Sequence, residues 1–190
     1  HCSHRKTAPV PDANILHKRG SAHMKLSVIY HSVSGNTARM AQVIAEGMKS
    51  VPGVEAQAFS IDAVDQDFAK ESRCLVLGCP TYVADTSAQT HLWMEQELGK
   101  LAPAGKLGGA FATAQYIHGG GELAIRSLLD HMLTMGMLTY SGGGSLGRPV
   151  IHLGPVAIAQ AGDTEALMEF DNTFRLYGQR MARKAMELFS

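Results

Sequence analysis

The sequence lacks the features that identify several common functional classes. No apolar run approaches the ~20 residues of a membrane-spanning helix, so we expect no membrane partner. The three cysteines, Cys2, Cys74 and Cys79, have no metal-ligand spacing and are not an even-numbered disulfide framework, which favours a reducing cytoplasm. Lysine and arginine together number 17, as do aspartate and glutamate, so no basic excess indicates a nucleic-acid partner.

Residues 1–23 differ in composition from the rest of the chain. They show no hydrophobic period, hold four of the nine histidines, and end in Gly-Ser-Ala-His before Met24, a junction typical of cloning. We expect this segment to be a disordered expression tag, with a native disordered arm as the alternative. The domain is then 24–190, with 13 basic and 16 acidic residues and a net charge of about −3.

From Lys25 onward, apolar segments of β type alternate with segments of helical period. Strands are predicted over 26–30, 54–61, 74–79, 107–113 and 137–140. Helices are predicted over 37–50 and 90–98, before Gly136, and after Asp163. Residues 142–155 are predicted as a loop and 156–160 as a short extended piece. The alternation predicts the α/β class, with a five-stranded parallel sheet in a doubly wound three-layer sandwich.

The last helix is predicted to run unbroken to the end of the chain. Asp163 is a good N-cap, and acidic residues lie near the beginning and basic residues near the end, as the helix dipole favours. The predicted buried stripe consists of Leu167, Phe170, Phe174, Tyr177, Met181 and Leu188. Ligands of doubly wound sheets bind at the carboxyl ends of strands, so we expect the site in loops 31–37, 80–87 and 114–121.

The first of these loops has the composition of an anion site. It joins a buried strand to a helix N-terminus, where unpaired backbone N–H groups and the helix dipole favour negative charge. Four polar side chains surround a glycine that lets the backbone approach closely: Ser32, Ser34, Gly35, Asn36 and Thr37. A phosphate group fits these donors. The alternative is a polar loop that only caps the helix.

Several classes of phosphate-binding protein are excluded by what the loop does not contain. It has no Gly-Lys-Ser/Thr for nucleotide hydrolysis and no G-x-G-x-x-G dinucleotide fingerprint. It has neither the acidic residues of a magnesium-dependent receiver nor the cysteine and arginine of a cysteine phosphatase. What remains is a phosphate monoester held without a metal and without reacting. Flavin mononucleotide (FMN) is the leading candidate.

Four segments of the chain resemble the flavodoxin-like superfamily. More narrowly, they resemble FMN-dependent NAD(P)H:quinone oxidoreductases related to tryptophan-repressor-binding protein, and NADPH-dependent FMN reductases. The segments are YHSVSGNTARMAQVIAEG (30–47), GCPTYVADTSAQTHLWME (78–95), GKLGGAFATAQYIHGGGE (105–122) and LLDHMLTMGM (128–137). The resemblance implies a flavodoxin-like strand order of 2-1-3-4-5.

The resemblance also implies an FMN site made by three loops. The first loop contributes Ser32, Ser34, Gly35, Asn36 and Thr37. The second contributes Pro80, Thr81, Tyr82 and Val83. The third contributes Thr113, Ala114, Gln115, Tyr116, Gly119 and Gly120. Tyr82, Tyr116 and His118 are candidates to face the substrate. The chain departs from the quinone reductases at Tyr82, where they have arginine, and at Met135, where they have histidine.

The activity implied by the resemblance is transfer of two electrons from NADH or NADPH, through FMN, to a quinone or similar small acceptor, in a homodimer or homotetramer. The flavin carries the hydride chemistry, so no acid–base pair and no metal are expected. One alternative is a flavodoxin that carries single electrons between protein partners. Another is a flavin-binding module without turnover. The small net charge and a second loop without tryptophan favour the enzyme over the carrier.

Overall fold

The computed structural model describes residues 23–190, so the predicted tag lies outside the described residues except for His23. The strands are β1 (Met24–Tyr30), β2 (Val54–Ser60), β3 (Cys74–Tyr82), β4 (Asp85–Thr86), β5 (Leu107–Ala114), β6 (Leu138–Thr139) and β7 (Val156–Ile158). The helices are α1 (Asn36–Lys49), α2 (Gln66–Glu71), α3 (Ala88–Gln96), α4 (Gly121–Thr134), α5 (Thr164–Met168) and α6 (Asp171–Phe189), with a 3₁₀ turn at Leu98–Leu101. No helix of this part of the chain is long and apolar enough to cross a membrane.

Parallel strands form the sheet in the order β2-β1-β3-β5-β6, which confirms the predicted fold class and winding. The expected fifth strand is split into two pieces. β6 pairs only with the first residues of β5, and β7 pairs with the last three. Residues 140–155 leave the sheet between these pieces. The short β4 adds an antiparallel hairpin to the end of β3.

Alternate residues of the central strands pack into two apolar cores, one on each face of the sheet. Leu26 and Val76 belong to the core beneath α1 and α6, and Ile29 and Leu77 belong to the core beneath α3 and α4. The two described cysteines divide between these cores, and burial raises the pKa of the Cys79 thiol to about 12. The cysteines therefore serve as small apolar residues, not as nucleophiles.

Helix α2 has no counterpart in the sequence prediction. Asp65 caps it by accepting a hydrogen bond of 3.0 Å from the Phe68 N–H. The helix has only six residues, too few for a hydrophobic period to emerge in a window of ~11–18 residues.

The C-terminal helix is interrupted, where the sequence predicted one continuous helix. Asp163 caps the short α5, accepting from the Ala166 N–H at 3.0 Å, as predicted. A second helix, α6, begins at Asp171, whose carboxylate accepts two hydrogen bonds from the Arg39 guanidinium of α1. Leu188 at the far end is 46% exposed, so its predicted place in the buried stripe is wrong. Met186 and Phe189 pack against the core in its place.

Helices α1 and α6 touch through glycines. A Cβ added at Gly47 would lie 2.1 Å from the Arg175 carbonyl oxygen, and one added at Gly178 would lie 2.2 Å from the Ile44 carbonyl oxygen. Both obstacles are backbone atoms of a packed helix, which cannot rotate away as a side chain can. The close approach of the two helices therefore depends on these two glycines.

We predict that Gly178→Ala destabilises the protein by about 1–3 kcal/mol through overpacking. The direction is informative because alanine in a helix is normally favoured over glycine by about 1 kcal/mol. Gly99→Ala is the matched control, since nothing lies within 4 Å of its added Cβ. Urea unfolding measures both variants. A Gly178→Ala protein as stable as Gly99→Ala would show that α1 and α6 do not pack this closely.

Candidate functional site

A cleft of about 630 Å³ opens at the carboxyl edge of the sheet. This volume lies within the ~300–1,000 Å³ range of small-molecule sites. All three predicted loops contribute to the lining. The predicted residues that line the cleft are Ser34, Asn36, Pro80, Thr81, Tyr82, Val83, Thr113, Ala114, Gln115, Tyr116 and Gly119. Ser32, Gly35, Thr37, His118 and Gly120 were also predicted, and they lie next to the cleft in sequence without lining it.

Helix α1 begins with its backbone N–H groups uncapped. Its N-cap is Gly35, in the left-handed conformation with φ 92°, and within the described chain no side chain caps the helix and no acid lies in its first turn. The Ser32 hydroxyl, just before this turn, is buried without a hydrogen-bond partner among the described residues. Unsatisfied donors at a helix N-terminus suit a phosphate.

Asn36 attaches a fourth segment to the first loop. Its Nδ2 donates to the Gln160 carbonyl at 2.9 Å, and the Gly162 N–H donates to its Oδ1 at 3.1 Å. Both ends of the amide are therefore used within the protein. The segment held in this way contributes Ala159 and Ala161 to the cleft. The sequence prediction missed them because two alanines, one inside and one just after the predicted extended piece 156–160, carry no binding signal.

Buried hydrogen bonds link the first loop to the other two. The hydroxyls of Thr37 and Thr113 lie 2.8 Å apart, joining the first loop to the third. His31 Nδ1 lies 2.8 Å from the hydroxyl of Ser87, the N-cap of α3. Burial lowers the pKa of His31, so its imidazole is uncharged at neutral pH. These contacts fix the relative positions of the loops before any ligand binds.

The second loop is a strained hairpin turn. β3 and β4 pair Tyr82 with Asp85, and the two residues between them, Val83 and Ala84, have φ of 51° and 61°. Two positive φ values in a two-residue turn are typical of Asn-Gly sequences, and a β-branched residue there is a genuine outlier. Such strain concentrates at ligand-binding sites.

The third loop touches this hairpin at a glycine. Gly120 has φ 91°, and a Cβ at this position would lie 2.5 Å from the Ala84 Cβ. Any larger residue would force the two loops apart and widen the cleft. His118, one of the candidates to face the substrate, is exposed to solvent.

The mouth of the cleft is apolar and uncharged. Val33, Tyr82, Val83, Tyr116 and Ile117 are all exposed there or beside it. No lining residue is acidic or basic. The Thr81 hydroxyl is buried without a partner in the described chain, as is that of Ser32. Residues 23–190 contain no cluster of His, Cys, Asp or Glu side chains able to hold a metal. The arrangement can bind a phosphate-bearing molecule with a flat apolar body, and it has no acid–base pair of its own.

Comparison with known proteins gives consistent matches. The family described as Flavodoxin matches residues 28–122. A flavodoxin of Clostridium saccharobutylicum is 39% identical over 166 residues, which cover 87% of this chain and 100% of that protein. An NAD(P)H dehydrogenase (quinone) of Aromatoleum aromaticum is 28% identical over 142 residues, covering 60% of this chain and 69% of that protein.

A solved structure shares the fold. The flavodoxin, WrbA-like protein of Agrobacterium tumefaciens superimposes with a TM-score of 0.67 at 23% sequence identity, covering 85% of this chain and 97% of that one. At this identity the likeness concerns the fold alone.

We predict that Val83→Asn stabilises the ligand-free protein by about 1 kcal/mol, because asparagine adopts the left-handed conformation at lower cost than valine. Val33→Asn is the matched control: it is another exposed valine of the cleft mouth, without a positive φ. Its effect should stay within about 0.5 kcal/mol. Urea denaturation compares the two. Equal shifts in both variants would mean that the turn stores no strain.

Proposed function

The chain belongs to the flavodoxin family, and from this premise we propose that residues 24–190 form an FMN-binding domain that carries electrons between protein partners. FMN, when bound, supplies the redox chemistry. The observation that carries the proposal is the uncapped N-terminus of α1 beside the unpartnered Ser32 hydroxyl. Backbone amides and side chains of the three loops would bind, orient and shield the cofactor.

The first loop would hold the phosphate of FMN. Backbone N–H groups at the beginning of α1 and the hydroxyls of Ser32 and Ser34 are the available donors. The Asn36 and Thr37 side chains already bond within the protein, so their role is to hold this loop in place. No lysine or arginine lines the cleft, and Arg39, the nearest in sequence, pairs with Asp171. Dipoles, not charges, would neutralise the phosphate.

The second and third loops would hold the flavin ring. Tyr82 and Tyr116 are the aromatic residues that line the cleft, and both bring flat faces suited to a ring system. The Thr81 hydroxyl is an unpartnered donor or acceptor for the polar edge of the ring. Gly119 and Gly120 let backbone amides of the third loop approach it closely.

Two observations favour a carrier over a nicotinamide-dependent enzyme, in contrast to the preference from sequence alone. The uncharged lining offers no cation for the phosphates of NADH or NADPH. Tyr82 stands at the position where the quinone reductases that the sequence resembles have arginine. The exposed apolar side chains around the mouth suit contact with another protein. The small net charge that argued against a carrier limits long-range steering but not docking.

The second candidate is the FMN-dependent NAD(P)H:quinone oxidoreductase. It is supported by the Aromatoleum aromaticum relative. In this case the donor and the quinone would occupy the mouth in turn, between Tyr82 and Tyr116.

We predict that Ser32→Ala weakens FMN binding by about 1.5–3 kcal/mol, the usual value of a hydrogen bond to a charged group. Binding of riboflavin, which has no phosphate, should be unchanged. Ser50→Ala, which removes a hydroxyl at the opposite end of α1 from the first loop, is the control and should bind both flavins as wild type does. Flavin fluorescence titration measures all six combinations. Equal losses for FMN and riboflavin would place the phosphate away from this loop.

We predict that the FMN-loaded protein does not sustain NADH or NADPH oxidation with benzoquinone above the rate of free FMN. It should instead accept electrons from a flavoprotein reductase and pass them to a haem protein. Stopped-flow absorbance under anaerobic conditions follows the flavin directly. Rapid reduction of the flavin by NADPH, with parallel initial-rate plots at several quinone concentrations, would contradict the carrier and support the quinone oxidoreductase as the function.

A further inference from the structure

Arg180 of α6 is a buried cation without a counter-ion. The residue is only 6% exposed, and its Nη1 is buried with no hydrogen-bond partner among the described residues. Its Nη2 makes one long contact of 3.4 Å, donating to the Leu146 carbonyl. The ion pairs of residues 23–190 do not include Arg180. Burying a guanidinium without an anion costs free energy, so an anion that binds beside Arg180 would relieve this cost.

A glycine-rich segment covers this guanidinium. Residues 141–147 read Ser-Gly-Gly-Gly-Ser-Leu-Gly, and a Cβ added at Gly142 would lie 3.4 Å from the Arg180 Cδ. The absence of side chains lets the backbone of the segment lie directly over the arginine. Gly142 and Gly143 both have positive φ, which only glycine adopts readily.

The part of the chain that contains the glycine-rich segment supplies no negative charge. Between Asp130 and Asp163 the sequence contains no aspartate or glutamate, whereas Arg148 adds a second cation beside the glycines. The segment belongs to residues 140–155, which leave the sheet between β6 and β7, and none of its residues lines the flavin cleft. The feature is therefore separate from the proposed cofactor site and does not depend on it.

We propose that Arg180 and the glycine-rich segment 141–147 form a second anion site, which binds a small phosphate-type oxyanion. A guanidinium offers two parallel N–H donors to two oxygens of such an ion, and the remaining oxygens can accept from backbone N–H groups of the segment. Because Nη1 is covered, the segment must open for the ion to enter and close when it is bound.

The test is a titration of the full chain, with and without FMN, with inorganic phosphate at constant ionic strength, followed by amide NMR. Phosphate that binds at the first loop is recognised by shifts of the amides of residues 32–37, and these shifts are distinguished from those of residues 141–147. We expect saturable shifts of the Gly142, Gly143 and Gly144 amides. Sulfate should compete with phosphate, and acetate and chloride should not reproduce the shifts. Acetate shifts equal to those of phosphate, or no saturable shift, would overturn the proposal.

Variants assign the site to the arginine. Arg180→Met should weaken phosphate binding by at least roughly tenfold, the lower end for losing a charged hydrogen bond. Arg180→Lys keeps the positive charge but loses the two parallel N–H donors of the guanidinium, so its affinity for phosphate should be intermediate. This variant also tests the role of Arg180 if Arg180→Met fails to fold. Arg183→Met removes an exposed cation of the same helix and should bind as wild type does. Equal affinity in Arg180→Lys, Arg183→Met and wild type would exclude Arg180 as the ligand.

Discussion

The parallel register of β1, β3 and β5 is the constraint on which the cleft depends. Because these strands run side by side in one direction, their carboxyl ends meet at one edge, although the chain between them spans tens of residues. Each strand is followed at this edge by a loop whose backbone N–H groups have no neighbouring strand to bond to. A site for a polar ligand follows from this unsatisfied edge, and the apolar cores on both faces hold it rigid.

Side-chain hydrogen bonds convert this edge into a prearranged site. Asn36 ties the segment after β7 to the first loop, Thr37 meets Thr113, and His31 meets Ser87. These buried polar side chains therefore hold the loops in place, whereas the hydroxyls of Ser32 and Thr81 have no hydrogen-bond partner among the described residues. This division separates residues that position the loops from those that would contact a ligand. It also lets the protein tolerate the strained turn at Val83, since the fixed loops on either side prevent the hairpin from relaxing.

The floor and the rim of the cleft bear differently on the two proposed functions. The floor, made of hydroxyls, amides and glycines, suits the same cofactor in both cases. The rim here is apolar and without charge, which favours docking of a protein surface over capture of a charged nucleotide. The two proposed functions therefore differ in whether a protein partner or a nicotinamide nucleotide binds at the mouth of the cleft.

The fold class and the positions of the three polar loops could be predicted from the sequence, because apolar period and glycine-rich polar turns are local signals. The strand order was implied by the resemblance to the flavodoxin-like superfamily. The hydrogen bonds of the loop residues depend on the tertiary structure. Asn36 and Thr37 are predicted from the sequence as phosphate ligands, and in the structure they bond to residues more than 70 positions away in the chain. The split fifth strand, the break before α6 and the charge of Arg180, which has no counter-ion among the described residues, were likewise not predicted from the sequence. Each arises from contacts between distant segments, namely the pairing of β5 with two short strands, the Arg39–Asp171 pair, and a glycine segment lying on a helix.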